Sequence, residues 1–289
     1  MVRTRVQESR SPYQPILLSA LKWYLLHCPI RKGQYRLVRA MCRIAPSPWL
    51  IETDRGQKMF IDFEDGVEQS IFLGKFEDLV SDAFMKLVSK GAVVLDIGAH
   101  SGYYTLLSAS SVGSSGSVHA FEPVLYEYEK LKANIAVNGF DNVLPNNIAI
   151  WASVGQLPLY LASGKYSGRT SIISRLDAKE EVFLAKTTTI DTYVSENRLK
   201  SVDLIKLDIE GAEPYALRGG TETLSNYKPD IICEIVPSLL RASGSSAEEL
   251  MRFMRSLSYK AFMIEAKPHM AYVYFSCCPR LSLPAVDKL

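Results

Sequence analysis

The chain has 289 residues, 47% of them hydrophobic and 22% charged, which is the balance of a folded globular protein with ample chain for an α/β core. No apolar run reaches the roughly 18 residues a spanning helix needs, which argues against a membrane-embedded protein. The net charge of +2 is unevenly spread: residues 1–45 hold nine Lys or Arg against Glu8 alone, a balance of +8 that leaves −6 for the rest.

Ile16 to Leu26 is apolar on nearly every side and stops at Cys28-Pro29. Lys32, Arg36, Arg39 and Arg43 then recur at helical spacing opposite Leu37, Val38, Met41 and Ile44, which predicts a basic amphipathic helix. Residues 1–48 therefore read as a basic helical extension. Its stretch 14–45 suits weak peripheral contact with an anionic membrane surface, and somewhat better a helical cap on the sheet or a dimerisation element that would make a homo-oligomer. The Arg-rich start also has the composition of a transit peptide.

Trp49 to Phe63 alternates around Asp54-Arg55-Gly56 as a β-hairpin, and Glu77 to Lys90 follows as a helix. Strands and helices then alternate: strands at Ala92–Ile97, Ser117–Phe121 and Asn142–Ala149, with helices at Tyr103–Val112 and Val124–Asn138 between them. Gln156–Leu161 and Glu181–Thr188, around the loop Ser163–Ser174, predict an antiparallel insertion over 154–188, whose loop is either a flap over the site or a plain hairpin tip. The rhythm resumes with strand Asp203–Leu207, a helix near Pro214–Asn226, strand Asp230–Ile235 and a helix near Ala247–Leu257. Tyr259–Glu265 and Met270–Cys277 close the chain as a hairpin. The expected fold is α/β, a seven-stranded mostly parallel sheet with an antiparallel last strand and helices on both faces.

Cys28, Cys42, Cys233, Cys277 and Cys278 form no C-x-x-C pair, so neither a disulfide framework nor a zinc site is indicated and a reducing, cytoplasmic setting fits. His27, His119 and His269 are isolated and read as satisfied core or surface residues. Fifteen tyrosines spread along the chain form no stacking platform, so no nucleic acid is expected as a partner.

In an open parallel sheet, ligands bind beyond the carboxyl ends of the strands where strand order reverses. Asp96, Glu122 and Asp208 stand at such ends. After Asp96 the chain turns through Gly98-Ala99-His100-Ser101-Gly102 into a helix, and Glu122 follows Gly102 at the distance where an acid accepts the ribose hydroxyls of an adenosine cofactor. Pro123 offers a plainer reading of Glu122, as the neighbour of a helix start. His100 occupies the place of the middle glycine of a pyrophosphate loop, which weakens a nicotinamide-dependent oxidoreductase and favours a cofactor without phosphates. That oxidoreductase and a non-catalytic adenosyl-binding protein stand as alternatives.

Val94 to Thr105, Phe121-Glu122-Pro123, Ile190-Asp191-Thr192-Tyr193, Asp203 to Glu213, Leu217-Arg218-Gly219-Gly220 and Ile231 to Ile235 follow one another in an order that resembles the FkbM-type S-adenosylmethionine-dependent methyltransferases. The resemblance covers roughly Trp49 to Glu265. It implies a class I, Rossmann-like methyltransferase domain over 49–289, S-adenosylmethionine as cofactor, and O-methylation of a sugar, glycan or secondary-metabolite hydroxyl. Gly98, Ala99, His100 and Gly102 would then face the methionine moiety, Asp96 its amine or a bridging water, and Glu122 the ribose. Tyr103 and Pro123 would line the nucleoside, with Asn147 and Ala149 near the adenine. The acceptor, a small molecule or glycan, needs a carboxylate to take its proton. Asp208 is favoured, then Glu234, then Glu210 as a loop-orienting residue. Clustered acids also suit a divalent metal, which Asp208 and Glu234 would hold, or a helix cap at Glu210 and Glu213; with no second Asp beside Asp208, no metal is expected.

Overall fold

The computed structural model describes residues 23–24, 48–162, 170–171 and 180–287. The 14–45 stretch, apart from Trp23 and Tyr24, and most of the 163–174 loop lie outside the described residues. No helix among the described residues is long and apolar enough to cross a membrane.

Strands β1 (Trp49–Glu52) and β2 (Lys58–Ile61) pair antiparallel, as the alternation predicts. Two short helices follow, α1 (Gly66–Phe72) and α2 (Asp78–Leu87). The first was not foreseen. Asp65 starts it by accepting the amide of Glu68 at 2.9 Å, a side-chain cap on a helix of seven residues.

The central sheet begins with β3 (Val93–Ile97), passes through α3 (Tyr103–Val112) to β4 (Ser117–Phe121), and through α4 (Leu125–Asn138) to β5 (Val143–Asn146). Asn134 and Asn138 of α4 accept the amides of Phe60 and Lys58 at 2.6 and 2.9 Å, so the helix fastens the outer hairpin to the sheet. Strand β5 ends earlier than expected. Asn147 turns its amide back onto the carbonyls of Glu122 and Pro123, and β6 (Ala149–Ile150) pairs with a separate sheet instead. That sheet is the insertion: β7 (Gly155–Ala162), β8 (Thr170–Ser171) and β9 (Glu180–Thr188), with β7 antiparallel to both neighbours.

Helix α5 (Ile190–Glu196) precedes β10 (Leu204–Leu207). The helix expected near Pro214–Asn226 is two, α6 (Glu213–Arg218) and α7 (Thr221–Tyr227), broken at Gly219-Gly220. Asp191 explains the break: its carboxylate accepts the amides of Glu222 and Thr223 at 3.0 and 2.8 Å, capping α7 from α5. After β11 (Asp230–Ile235) come α8 (Pro237–Ala242), also unforeseen, and α9 (Ala247–Ser256). The hairpin β12 (Lys260–Lys267) and β13 (Met270–Ser276) completes the sheet.

The seven strands lie in the order β12-β13-β11-β10-β3-β4-β5, with β13 antiparallel to its neighbours and the others parallel. Residues alternate between two cores. Val94, Leu204 and Ile232 face α2 and α3, whereas Leu95, Ile205 and Cys233 face α6 and α9. His119 is a satisfied core histidine, 2.8 Å from the Tyr193 hydroxyl and 3.1 Å from that of Ser117, and burial lowers its pKa to about 4. Chain order reverses between β3 and β10, which puts the switch-point crevice at the carboxyl ends of these two strands.

Candidate active site

A pocket opens at that crevice, lined by Asp96, Gly98, Ala99, His100, Tyr103, Glu122, Pro123, Ala149, Asp208, Glu210 and Glu234 among others. It gathers all of the expected site residues except Gly102 and Asn147. Gly102 starts α3 at φ +101°, where a Cβ would meet Leu131 Cδ1 at 2.6 Å, so its role is close helix packing. Asn147 acts behind the pocket wall, through the carbonyls of Glu122 and Pro123.

The glycine turn presents less hydrogen-bonding capacity than the sequence suggests. The amides of Gly98 and Ala99 donate to the Phe121 carbonyl at 3.1 and 3.0 Å, and that of Gly102 donates to Ala99 at 2.8 Å. The His100 amide, at φ +50°, donates to Glu122 Oε2 at 2.9 Å. These N–H groups fix the turn and offer a ligand shape in place of donors.

Glu122 is buried, and its Oε1 also accepts the Val124 amide at 2.9 Å, so the helix-start reading is realised alongside the pocket position. Burial raises its pKa to about 7, against the lowering by His100 and the two backbone amides. Asp96 is buried and accepts the Thr105 hydroxyl, and burial carries it to about 6. The His100 side chain turns toward buried acids: its Nε2 lies 3.6 Å from Glu127, whose neighbour Lys130 reaches Glu68 at 2.7 Å. Burial opposes the imidazolium, but Glu127 and then Glu68 outweigh it and raise the His100 pKa.

Deeper in the pocket stands a cluster only half foreseen. Glu77, Asp208 and Glu234 each bring a carboxylate oxygen within 4.8 Å of the others. Lys206, 1% exposed, places Nζ 3.1 Å from Asp208 Oδ2 and packs over the rings of Tyr104 and Tyr272 at 4.8 and 5.7 Å. Burial disfavours its charge, but Asp208, Glu77 and Glu234 outweigh that and raise its pKa. The lysine thus supplies the counter-charge that a divalent ion between Asp208 and Glu234 would supply, so the donor set fits an ammonium better than a metal. Tyr104 donates to Glu77 Oε2 at 2.6 Å, and the Tyr272 hydroxyl lies 2.6 Å from Glu77 Oε1 and 2.9 Å from Glu234 Oε1.

Lys206 had a sequence signal, a lone charge inside the apolar run Leu204-Ile205-Lys206-Leu207. Glu77 had none. It heads α2 in the left-handed region at φ +49°, where a non-glycine residue is costly and held only by its surroundings.

Glu213, which the sequence leaves open as a helix cap, orders the loop after β10: its Oε1 accepts the amides of Ile209 and Gly211 at 3.0 and 3.2 Å, and burial takes it to about 7. Among the described residues six carboxyl groups line the pocket (Glu77, Asp96, Glu122, Asp208, Glu210 and Glu234) against Lys206 and His100. Such a wall suits a ligand carrying a sulfonium, an ammonium and ribose hydroxyls.

The sheet order, the glycine turn after its first strand and the acid ending the second define a Rossmann-like, class I S-adenosylmethionine-dependent methyltransferase fold. Residues 96–261 match the methyltransferase FkbM domain, and the chain belongs to that family, with S-adenosylmethionine as its cofactor. Among solved structures, a methyltransferase FkbM from Methylobacillus flagellatus KT is 14% identical with a TM-score of 0.45, over 75% of this chain and 56% of that one. A SAM-dependent methyltransferase from Aquifex aeolicus is 15% identical with a TM-score of 0.41, over 70% and 90%. A SAM-dependent O-methyltransferase from Thermotoga maritima is 17% identical with a TM-score of 0.43, over 82% and 80%. The chain spans little more than half the length of the first of these. No curated protein matches the sequence.

Proposed function

We propose that this chain transfers a methyl group from S-adenosylmethionine to a hydroxyl of a sugar, glycan or secondary-metabolite acceptor, with residues 49–289 as the methyltransferase domain and 154–188 as its insertion. The observation that carries the reading is the acid-rich crevice at the switch point, with Asp208 on its rim beside the buried Lys206. When bound, the cofactor supplies a methyl on a sulfonium, so the electrophile arrives activated. This chain's residues then have to hold the acceptor oxygen in line and take its proton.

Asp208 suits that task. Its side chain is 28% exposed and hydrogen-bonded to Lys206, so it reaches an acceptor while the ammonium fixes its orientation. Glu234, the second choice from the sequence, is buried with one oxygen against Tyr272 and is less well placed to take the proton. Glu210, at φ +54°, shapes the loop between Asp208 and Glu213. Glu122 receives the ribose hydroxyls and Asp96 the amino end of the donor, with no phosphate or nucleic-acid partner called for.

The test is transfer of labelled methyl from S-adenosylmethionine to hydroxylated compounds of a cell extract, scored by mass spectrometry as the gain of one methyl group. Asp208→Asn should lower the rate by about 10²–10⁴, the usual weight of a general base, and leave cofactor binding within a few-fold. Unchanged transfer by Asp208→Asn would remove it as the base. The basic stretch 14–45 fits weak contact with an anionic surface, which deletion of 1–45 should abolish in liposome co-sedimentation at low salt.

A further inference from the structure

Among the described residues the acid cluster holds three carboxyl groups, Glu77, Asp208 and Glu234, against the single ammonium of Lys206, and its hydrogen bonds indicate how the excess is resolved. The Tyr272 hydroxyl lies within hydrogen-bond distance of two carboxylate oxygens, Glu77 Oε1 at 2.6 Å and Glu234 Oε1 at 2.9 Å, yet it has one proton. It can donate fully to one of them, and the other contact then requires the carboxyl to be the donor. Glu77 is the better acceptor, since the Tyr104 hydroxyl donates to its second oxygen at 2.6 Å. Two phenols aimed at one carboxyl favour its ionised form. Asp208 is matched by Lys206 at 3.1 Å, which leaves Glu234, 8% exposed, without a cation of its own among the described residues.

We infer that Glu77, which precedes the family-matched segment, and Glu234 are a proton-sharing pair bridged by Tyr272, that the proton resides on Glu234, and that Glu77 is thereby a positioning residue of the acceptor site. Burial raises both carboxyls above the usual range; at Glu234 the neighbouring Asp208 adds to the rise and carries it well above, whereas at Glu77 Lys206 and the two phenols offset part of it. The consequence for chemistry rests on the methyl-transfer reading. With Glu234 neutral and each oxygen of Glu77 engaged by a phenol, Asp208 is the carboxylate of the cluster left to accept a proton from the substrate. As the acceptor oxygen–carbon bond forms and the sulfur–carbon bond breaks, the hydroxyl proton passes to Asp208 while Glu234 keeps its own. The ionised groups of the cluster change from Glu77, Asp208 and Lys206 to Glu77 and Lys206, which balance.

Infrared difference spectroscopy of the cofactor-free protein tests this, because a protonated carboxyl has a C=O stretch that a carboxylate lacks. The wild-type protein should show such a band at neutral pH, assigned by its loss in Glu234→Gln, and should lose it only on alkaline titration. In Glu77→Gln the neighbouring charge is gone and Tyr272 is free to donate to Glu234, so the midpoint should fall by about one pH unit or more, a tenfold change in proton affinity. Absence of the band from wild type at neutral pH overturns the inference, as does a midpoint unmoved in Glu77→Gln. If Glu77→Gln does not fold, the wild-type titration decides: a midpoint in the ordinary carboxylate range is fatal. No acceptor or donor is needed, so failure of the methyl-transfer assay and failure of this proton assignment are separate outcomes.

Discussion

Gly98 gives the most direct test of how the turn after β3 is built. Its φ is +87°, and a Cβ there would stand 1.9 Å from the Asp208 carbonyl oxygen, 2.9 Å from its carbon and 3.0 Å from Ile209 Cγ2. The glycine is therefore required by the neighbouring main chain, the segment that carries the proposed base. Gly98→Ala meets two costs: about 1–2 kcal/mol for an L-residue in the left-handed region, and about 1–3 kcal/mol for moving a packed backbone segment. Gly139→Ala is the control, with φ +68° and nothing within 4 Å of its Cβ, so it meets the first cost alone. In a domain of this size each kcal/mol lowers Tm by about 2–4 °C, which puts Gly98→Ala roughly 4–20 °C below wild type and Gly139→Ala roughly 2–8 °C below. Circular dichroism melts measure both. Calorimetric titration with S-adenosylmethionine, below either melting point, should show at least about tenfold weaker binding for Gly98→Ala and unchanged binding for Gly139→Ala, about 1.4 kcal/mol apart. Equal Tm and equal affinity in the two variants would refute the argument that the Asp208 backbone dictates the glycine.

Glu122 and Glu213 near 7 and Asp96 near 6 all sit above their unfolded values because they are buried. Each then contributes stability that is full below the ordinary carboxylate range and lost as pH rises through the folded value, about 3 kcal/mol for the larger shifts. The Tm of the cofactor-free protein should accordingly fall between about pH 5 and about pH 8, and Glu122→Gln should flatten that slope; a Tm that rises over the interval contradicts the burial argument. Asp191→Asn keeps an oxygen but loses the charge and one acceptor of the double cap on α7, so a loss of about 1 kcal/mol in urea denaturation is expected, with cofactor affinity unchanged. A loss of affinity at unchanged stability would move Asp191 from scaffold to site.

Long apolar runs made the seven-stranded sheet legible, because a strand buried on both faces has little freedom in its residue types. Helices α1, α5 and α8, of six or seven residues, escaped because two turns are too few to show an amphipathic period. The expected strand Asn142–Ala149 overruns β5 for a different reason: Asn147 and Ala149 look compatible with a strand, but their partners are the Glu122–Pro123 carbonyls and β9. The same division holds in the pocket. Asp96, Glu122, Asp208 and Glu234 could be found because strand ends at a switch point are where ligands bind. Tyr272 and Glu77 could not, since one comes from a strand far along the chain and the other from a helix start, and only the closed sheet brings them to a shared hydrogen bond.

Lys206 and Asp96 are register partners across β10 and β3, so they share one face of the sheet. Inserting a single residue in β10 would set Ile205 or Leu207 opposite Asp96 and drive the lysine into the aliphatic layer under α6 and α9. These strands can therefore diverge by substitution but not by changes of length, and the loops after them are where descendants of this chain can vary in length to explore new acceptors while the charges beneath stay in place.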